Sequence, residues 1–366
     1  MPQAVHAWAT TAQITVATAA EGARRSAPTA APLTVNRIAR SDELSPTTIS
    51  YAMTASCRTV TGTIAAEELG VVLTHEHLIF DVSVHSGRAD NRCDDRELIS
   101  AELQRFAQAG GGAICDVTPE GLGRDPAALR EISAATGVPI VSGIGLYTRD
   151  VFPPELRSAG REPLAGYLRR RVDETSAGIL GEVASKNAER PDWRGYQMAD
   201  HEVALFQASA DAQRSTGLAI TTHASLGRAG VAQLRVLEAA GASLERVVIG
   251  HCDAHVHEDA ETDHEYYDQL LAFGAVLEFD LFGWEELGPD RIRLQRIAEL
   301  CERGRHEQIL VSTDTCRLSQ LHANGGRGFT FLFDSILPGL RAAGVDDAAI
   351  HAITVANPRR LLSAAG

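Results

Sequence analysis

Between residues 70 and 315, short apolar runs alternate with longer segments of mixed apolar and polar residues. Short runs rich in Val, Ile and Leu, which are typical of strands buried on both faces, occur eight times in this stretch. The predicted strands are residues 71–80, 111–118, 139–147, 177–184, 218–225, 246–253, 275–282 and 308–315. Segments with helical periodicity lie between them, at residues 95–109, 163–175, 199–216, 231–240 and 291–305.

Eight strand–helix units within roughly 250 residues are typical of a (β/α)8 TIM barrel. We therefore predict an α/β fold of this kind. A doubly wound parallel sheet is the alternative for such a pattern, but no G-x-G-x-x-G sequence follows the first predicted strand.

Residues 1–52 differ from the rest of the chain. They are rich in Ala, Thr and Ser and have neither helical nor strand periodicity, so we predict a disordered extension. The folded domain is then expected over residues 53–366. The total length of 366 residues fits one barrel plus such an extension.

Charge and composition narrow the classes of partner. The formal net charge of -14 argues against nucleic-acid binding, which needs a basic surface. No run of eighteen or more apolar residues occurs, so no membrane span is expected. The six cysteines are scattered and form no C-x-x-C motif, which favours a reduced, cytoplasmic protein over a disulfide framework.

Metal-ligand side chains stand at the ends of five predicted strands, where TIM barrels carry their active sites. They are His75, His77, Glu182, His223, His251 and Asp314. On otherwise apolar strands such groups are costly to bury without a partner. Four imidazoles and two carboxylates suit two borderline divalent ions, Zn²⁺ first, with Mn²⁺ or Co²⁺ as alternatives. A hydroxide bridging two such ions would form near neutral pH.

The joint order His-x-His, acid, His, His, Asp resembles that of the phosphotriesterase family of the amidohydrolase superfamily. The motifs that carry the resemblance are Leu73-Thr74-His75-Glu76-His77, Thr221-Thr222-His223, Ile249-Gly250-His251 and Leu310-Val311-Ser312-Thr313-Asp314. The resemblance covers about residues 58–364 and implies an amidohydrolase-type barrel. It also implies that His75, His77 and Asp314 hold a buried ion, whereas His223 and His251 hold a more exposed one.

The sequence departs from the phosphotriesterase type at two positions. Those enzymes bridge their metals with a carboxylated lysine on the fourth strand, but here Glu182 stands at that place and the single lysine of the chain, Lys186, lies beyond it. The resemblance to phosphotriesterase homology and phosphotriesterase-related proteins therefore implies that Glu182 is the bridge. Leu281 replaces a histidine associated with proton relay, which argues against efficient hydrolysis of organophosphate triesters.

Several further side chains near the strand ends are candidates for the reaction or for substrate contact. Asp253 follows His251 by two residues and is interpreted as a relay for the proton of Asp314, with a structural cap as the alternative. The candidate substrate contacts are Tyr147, Phe282, Trp284 and Arg317. Tyr147 is equally compatible with a packed rim residue, and Arg317 with an exposed loop arginine.

These residues predict a binuclear metal-dependent hydrolase in which the bridging hydroxide attacks an ester or lactone carbonyl of a small molecule. Hydrolysis of an N-acyl amide or of a phosphoester is the chemical alternative. A non-catalytic barrel that binds small ligands is the alternative of another class. Residues 329–340 are apolar and are expected to pack in the core, although the resemblance to dimeric proteins makes part of this segment a possible homodimer interface.

Removal of residues 1–52 tests the predicted domain boundary. The truncated protein loses no predicted strand, helix or ligand, so its metal content and its melting temperature should match those of the full chain. Elemental analysis and thermal unfolding of the two proteins measure this. A large drop in either quantity would show that the extension contributes to the barrel or to its site.

Overall fold

The computed structural model describes residues 55–186, 193–224 and 228–363. The predicted disordered extension, residues 1–52, lies outside the described residues, so the boundary at residue 53 stays a prediction.

A parallel eight-stranded sheet forms the centre of the fold. The described residues contain, besides these eight strands, four short strands outside the sheet. In chain order all of them are β1 (Ser56–Thr59), β2 (Gly62–Ala65), β3 (Val71–Glu76), β4 (Phe80–Asp81), β5 (Arg92–Cys93), β6 (Gly111–Asp116), β7 (Ile140–Ile144), β8 (Ile179–Ser185), β9 (Ile220–Ala224), β10 (Val247–Ile249), β11 (Val276–Phe279) and β12 (Ile309–Val311). Strand β3 and strands β6 to β12 pair in parallel and in chain order, whereas β1–β2 and β4–β5 are small antiparallel pairs. The predicted TIM barrel is confirmed.

Helices follow the barrel strands along the chain. They are α1 (Ser83–Ser86), α2 (Arg96–Gln108), α3 (Pro126–Thr136), α4 (Arg161–Thr175), α5 (Asp200–Thr216), α6 (Gly230–Ala239), α7 (Ala260–Ala272), α8 (Asp290–Glu302), α9 (Leu337–Ala342), α10 (Asp347–His351) and α11 (Asn357–Leu362). Two π-helical segments, Leu332–Ile336 and Ala352–Ala356, continue directly into α9 and α11. All five predicted helices are present, with bounds that differ by three residues or fewer.

Several predicted strands run too far at their carboxyl ends. Strand β10 stops at Ile249 rather than residue 253, and β12 stops at Val311 rather than residue 315. The reason lies in the backbone, because His251 and Asp314 have φ angles of 54° and 44°, in the left-handed region that a strand cannot adopt. The chain therefore turns where the candidate ligands begin.

Apolar side chains fill the barrel below those ends. A cluster of buried residues takes members from, or directly beside, all eight barrel strands, including Val72, Cys115, Val141, Ile179, Ala219, Val248, Val276 and Leu310. A larger cluster joins strands to helices. Because the lower interior is packed with side chains, polar groups can gather only at the carboxyl ends of the strands.

Two other features concern the cysteines and the helices. All six cysteines are free, and five of them are buried. Among the described residues, no helix combines the length and the apolar character that crossing a membrane requires.

The buried carboxylate of Glu76 joins the first barrel strand to the segment after the last one. Its oxygens accept hydrogen bonds from the Ser312 hydroxyl at 2.7 Å, from the Thr313 backbone N–H at 2.8 Å and from the Thr315 backbone N–H at 2.9 Å. The Asp314 backbone N–H also donates to a carbonyl oxygen of β3, that of His75, at 3.2 Å. These bonds close the barrel between β3 and β12.

Replacing Glu76 with Gln tests this closure. The amide keeps the size of the carboxylate but offers only one acceptor atom, so at least one buried backbone N–H loses its partner. We expect the free energy of unfolding to fall by about 1–3 kcal/mol. Denaturant unfolding measures the change, and Glu68→Gln, at an exposed position, is the matched control. An unchanged stability would show that the hydrogen bonds of Glu76 are not needed for closure.

Candidate metal centre

The six candidate ligands converge at the carboxyl end of the barrel, and all six are buried. The Nε2 atom of His77 lies 3.2 Å from Oδ1 of Asp314, and Nε2 of His75 lies 3.9 Å from the same oxygen. On the other side, Nε2 of His251 and Nδ1 of His223 lie 2.8 Å apart. The structure thus brings together every residue that the sequence analysis assigned to the metal site.

Glu182 stands between these two groups. Its Oε1 atom lies 2.8 Å from Nδ1 of His223, 3.1 Å from Nε2 of His75 and 3.6 Å from Nε2 of His251. Its Oε2 atom faces His77 at 3.8 Å. One carboxylate therefore reaches all four imidazoles, as a ligand shared by two ions would.

Each imidazole has one ring nitrogen that points away from the centre of the site, and a polar side chain lies next to this outer nitrogen. The two Nδ1 atoms of His75 and His251 lie 3.0 Å and 2.9 Å from the carboxylate oxygens of Asp280. The Nδ1 atom of His77 lies 2.9 Å from the Thr118 hydroxyl. If the outer nitrogens carry the protons, Nε2 of these three rings is left with a lone pair that faces the centre.

His223 uses the opposite orientation. Its Nε2 atom lies 2.9 Å from the Tyr147 hydroxyl, so Nδ1 is the atom that faces Glu182. With a proton on Nε2, this ring also directs a lone pair inward. All four imidazoles can therefore act as ligands at once, whereas four inward N–H groups would repel one another.

Three groups of ligand atoms, among the described residues, lie close enough together to hold a metal ion. One group is His75, His77 and Asp314, and another is Glu182, His223 and His251. A third, His75, His251 and Asp280, consists of the two imidazoles with the carboxylate behind them. The first two groups coincide with the two ion sites that the family resemblance implies.

The electrostatics of the cluster call for positive charge. Burial alone would raise the pKa of Glu182, but His223, His251 and His75 outweigh it and lower that pKa well below its ordinary value. Burial likewise opposes protonation of His75 and His251, yet the charge of Asp280 raises the pKa of both well above normal. Protons or divalent cations can supply the compensating charge, so the donor set fits metal ions.

The position of Asp253 differs from the one that strand alternation predicted. Because β10 ends at Ile249, the strand alternation that put Asp253 on the face of His251 does not apply. The Asp253 carboxylate instead accepts from Nε of the fully buried Arg293 at 2.8 Å and from the Leu281 backbone N–H at 3.2 Å. Burial raises the pKa of Asp253 to about 6, with Arg293 acting against it. Its role as a relay stays a prediction.

The predicted substrate contacts lie on two sides of the site. Tyr147 touches His223 and also lines a cavity of about 580 Å³ that extends away from the metal ligands. Trp284 is buried and donates from Nε1 to the Thr313 carbonyl at 3.1 Å. The Arg317 guanidinium stacks on the Trp284 ring, 4.0 Å from its centroid, and Nη1 pairs with Glu286 at 2.9 Å. Phe282 is buried in the main apolar cluster, so its ring offers almost no surface to a ligand.

Sequence reasoning missed the groups that orient the ligands. Asp280 and Thr118 hold the imidazoles, and Glu278 lies behind His75 with an Oε2–Nδ1 distance of 3.5 Å. A signal was present, because Glu278 and Asp280 are two residues apart at the end of an apolar strand, the spacing used to find His75 and His77. Two acids on one apolar strand, like the two histidines, are costly to bury without a partner.

Comparison with known proteins gives consistent results. The model of the phosphotriesterase family matches residues 55–362. The phosphotriesterase homology protein of Escherichia coli is 29% identical over 295 residues, covering 79% of this chain and 96% of that protein. An N-acetyltaurine hydrolase of Dictyostelium discoideum is 32% identical over 289 residues, which is 74% of each chain.

The fold comparison agrees. A mutant PTE-like lactonase from Deinococcus radiodurans superimposes with a TM-score of 0.70 at 29% identity, covering 84% of this chain and 99% of the other. The family model spans most of the chain, and the solved relative shares its barrel over nearly all of its own length. The chain belongs to the phosphotriesterase family.

Proposed function

We propose that this chain is a binuclear metal-dependent hydrolase that cleaves carboxylic esters or lactones. The observation that carries the proposal is the inward orientation of four buried imidazoles around one carboxylate, Glu182. His75, His77 and Asp314 would hold one ion, His223 and His251 the other, and Glu182 both. Zn²⁺ suits this nitrogen-rich set best, and Mn²⁺ or Co²⁺ are alternatives.

Two divalent ions in such a site polarise a carbonyl oxygen and lower the pKa of water enough to supply a nucleophile at neutral pH. The residues of the chain perform the remaining tasks. Asp314, whose buried carboxylate lies next to His77, accepts the proton of the attacking water and returns it to the leaving group. Tyr147 fixes the ring of His223 and forms the wall against which the substrate lies.

Lactone hydrolysis is supported by the similarity to the Deinococcus radiodurans lactonase. The similarity to an N-acetyltaurine hydrolase favours a second candidate, the hydrolysis of an N-acyl amide. Both reactions need the same polarised carbonyl and the same proton acceptor. Phosphoester hydrolysis and a purely ligand-binding barrel rank lower, since binding alone gives no reason to place Asp314 beside His77.

Metal content tests the shared ligand. The wild-type protein, purified without chelator and with metal supplied, should contain close to two divalent ions per chain. This loading should not depend on added bicarbonate, because the Glu182 carboxylate is permanent and a carboxylated lysine is not. Glu182→Gln should weaken metal binding about 10–100-fold. Elemental analysis and competition with a chelator measure both effects.

Glu238→Gln, at an exposed position of α6, is the matched control and should retain full loading. One ion or none in the wild type, or loading that rises with bicarbonate, would contradict the assignment of Glu182 as the bridge.

Turnover of a substrate panel tests the reaction. The metal-loaded protein should hydrolyse lactones or aryl esters, with N-acyl amino acids and phosphotriesters in the same panel for the alternatives. Asp314→Asn preserves size but removes the proton acceptor, so kcat should fall about 10²–10⁴-fold. The metal content of the variant is measured in parallel. A fully loaded variant with unchanged kcat would rule out this role of Asp314.

A further inference from the structure

The cavity beside the metal centre has an apolar floor and a cationic rim. Its floor is formed by buried side chains, among them Phe152, Ala184 and Leu205. Its rim carries Arg149, Arg157 and Lys186, all of which are exposed. The cavity adjoins the ligands, because Tyr147 lines it and contacts His223, and because Ala184 is the β-sheet neighbour of His223.

The three cations of the rim are not neutralised in the way that other basic residues of the chain are. Arg161 pairs with Asp211, Arg171 with Glu120 and Arg293 with Asp253. For Arg149, Arg157 and Lys186, no carboxylate of the described residues lies within ion-pair distance. Each of the two arginines donates its Nε–H to a carbonyl oxygen, of Arg157 and Phe152 respectively, which leaves the other guanidinium nitrogens free of intramolecular hydrogen bonds within the described chain.

Two acids also line the cavity but do not cancel this charge. The Glu202 carboxylate is buried and already accepts from the backbone N–H groups of Lys186 and Ala199 and from the Tyr196 hydroxyl. Asp150 lies 3.5 Å from Nδ1 of His85, and it also interacts electrostatically with Lys186 beyond ion-pair distance. Among the described residues that line the cavity, three cations stand against two acids, so this lining carries a net positive charge.

We infer that this cavity receives an anionic arm of the substrate, such as a carboxylate or sulfonate, while the scissile carbonyl lies at the metal ligands. The inference rests on the proposed function and narrows it to a class of substrate. An aliphatic segment would pack on Phe152 and Leu205, and the charged end would meet Lys186 and the arginines at the rim. If the anion is held at the rim, it does not bind to the metal ions directly and leaves them available to the carbonyl.

A matched pair of esters tests the inference. The monophenyl ester of adipic acid and the phenyl ester of adipamic acid contain the same reacting group and differ only in a terminal carboxylate or carboxamide. The wild type should prefer the carboxylate by about tenfold or more in kcat/KM, as expected for hydrogen bonds to charged groups. The preference should weaken at high salt, since the rim is exposed.

Substitutions at Lys186 separate charge from shape. Lys186→Gln should reduce the ratio of the two kcat/KM values, and Lys186→Glu should bring it to one or reverse it. Arg169→Gln, an exposed position on α4, should leave the ratio unchanged. A wild-type ratio near one, or a ratio that Lys186→Glu does not alter, overturns the inference even though both esters are hydrolysed.

Calorimetric binding of adipamate and of its uncharged counterpart adipamide to the metal-loaded protein provides a readout that does not depend on turnover. Tighter binding of adipamate, lost in Lys186→Glu, supports the anionic subsite. Equal binding of the two compounds overturns it. Absence of hydrolysis in both esters would instead count against the proposed ester chemistry, so the two ideas can fail separately.

Discussion

A buried carboxylate among four imidazoles sets the main constraint on this barrel. Glu182 lies within 3.8 Å of all four rings, and a charge withdrawn from water in this way is tolerated only if partners surround it. The buried imidazoles in turn need polar partners of their own, and the Asp280 carboxylate is that partner for His75 and His251. The apolar strands below supply rigidity, since they hold the chain ends from which these groups project.

The convergence of the six candidate ligands could be predicted from the sequence because three regularities coincide. The carboxyl ends of all barrel strands lie at one face, and successive side chains along a strand point to opposite sides. Histidines are also costly to bury on apolar strands unless they have a partner. Thr118 could not be found in this way, since a hydroxyl behind His77 looks like any other loop residue until the fold places it there. For Asp253 the alternation argument does not hold, because the strand ends at Ile249 and the backbone of His251 already turns.

The two sides of the site differ in what they offer to a substrate. On the side of β11, Trp284 and Arg317 stack on each other, and Glu286 neutralises the arginine. On the side of β7 and β8, Tyr147 lines a cavity whose cations form no such ion pair with any described residue. The proposed anionic subsite places substrate selectivity in the loops after β7 and β8 rather than in the residues that the sequence marked after β11, and loops of this kind vary most within one fold.

Glu76 links stability to chemistry in this arrangement. It separates His75 from His77 along the chain, points to the opposite side of the strand, and binds the segment that carries Asp314. A left-handed backbone at Asp314 is unfavourable for a residue other than glycine, and the hydrogen bonds to Ser312, Thr313 and Thr315 offset that cost. The Glu76 side chain that closes the barrel thus also keeps Asp314 beside His75 and His77, so loss of closure and loss of the site should occur together.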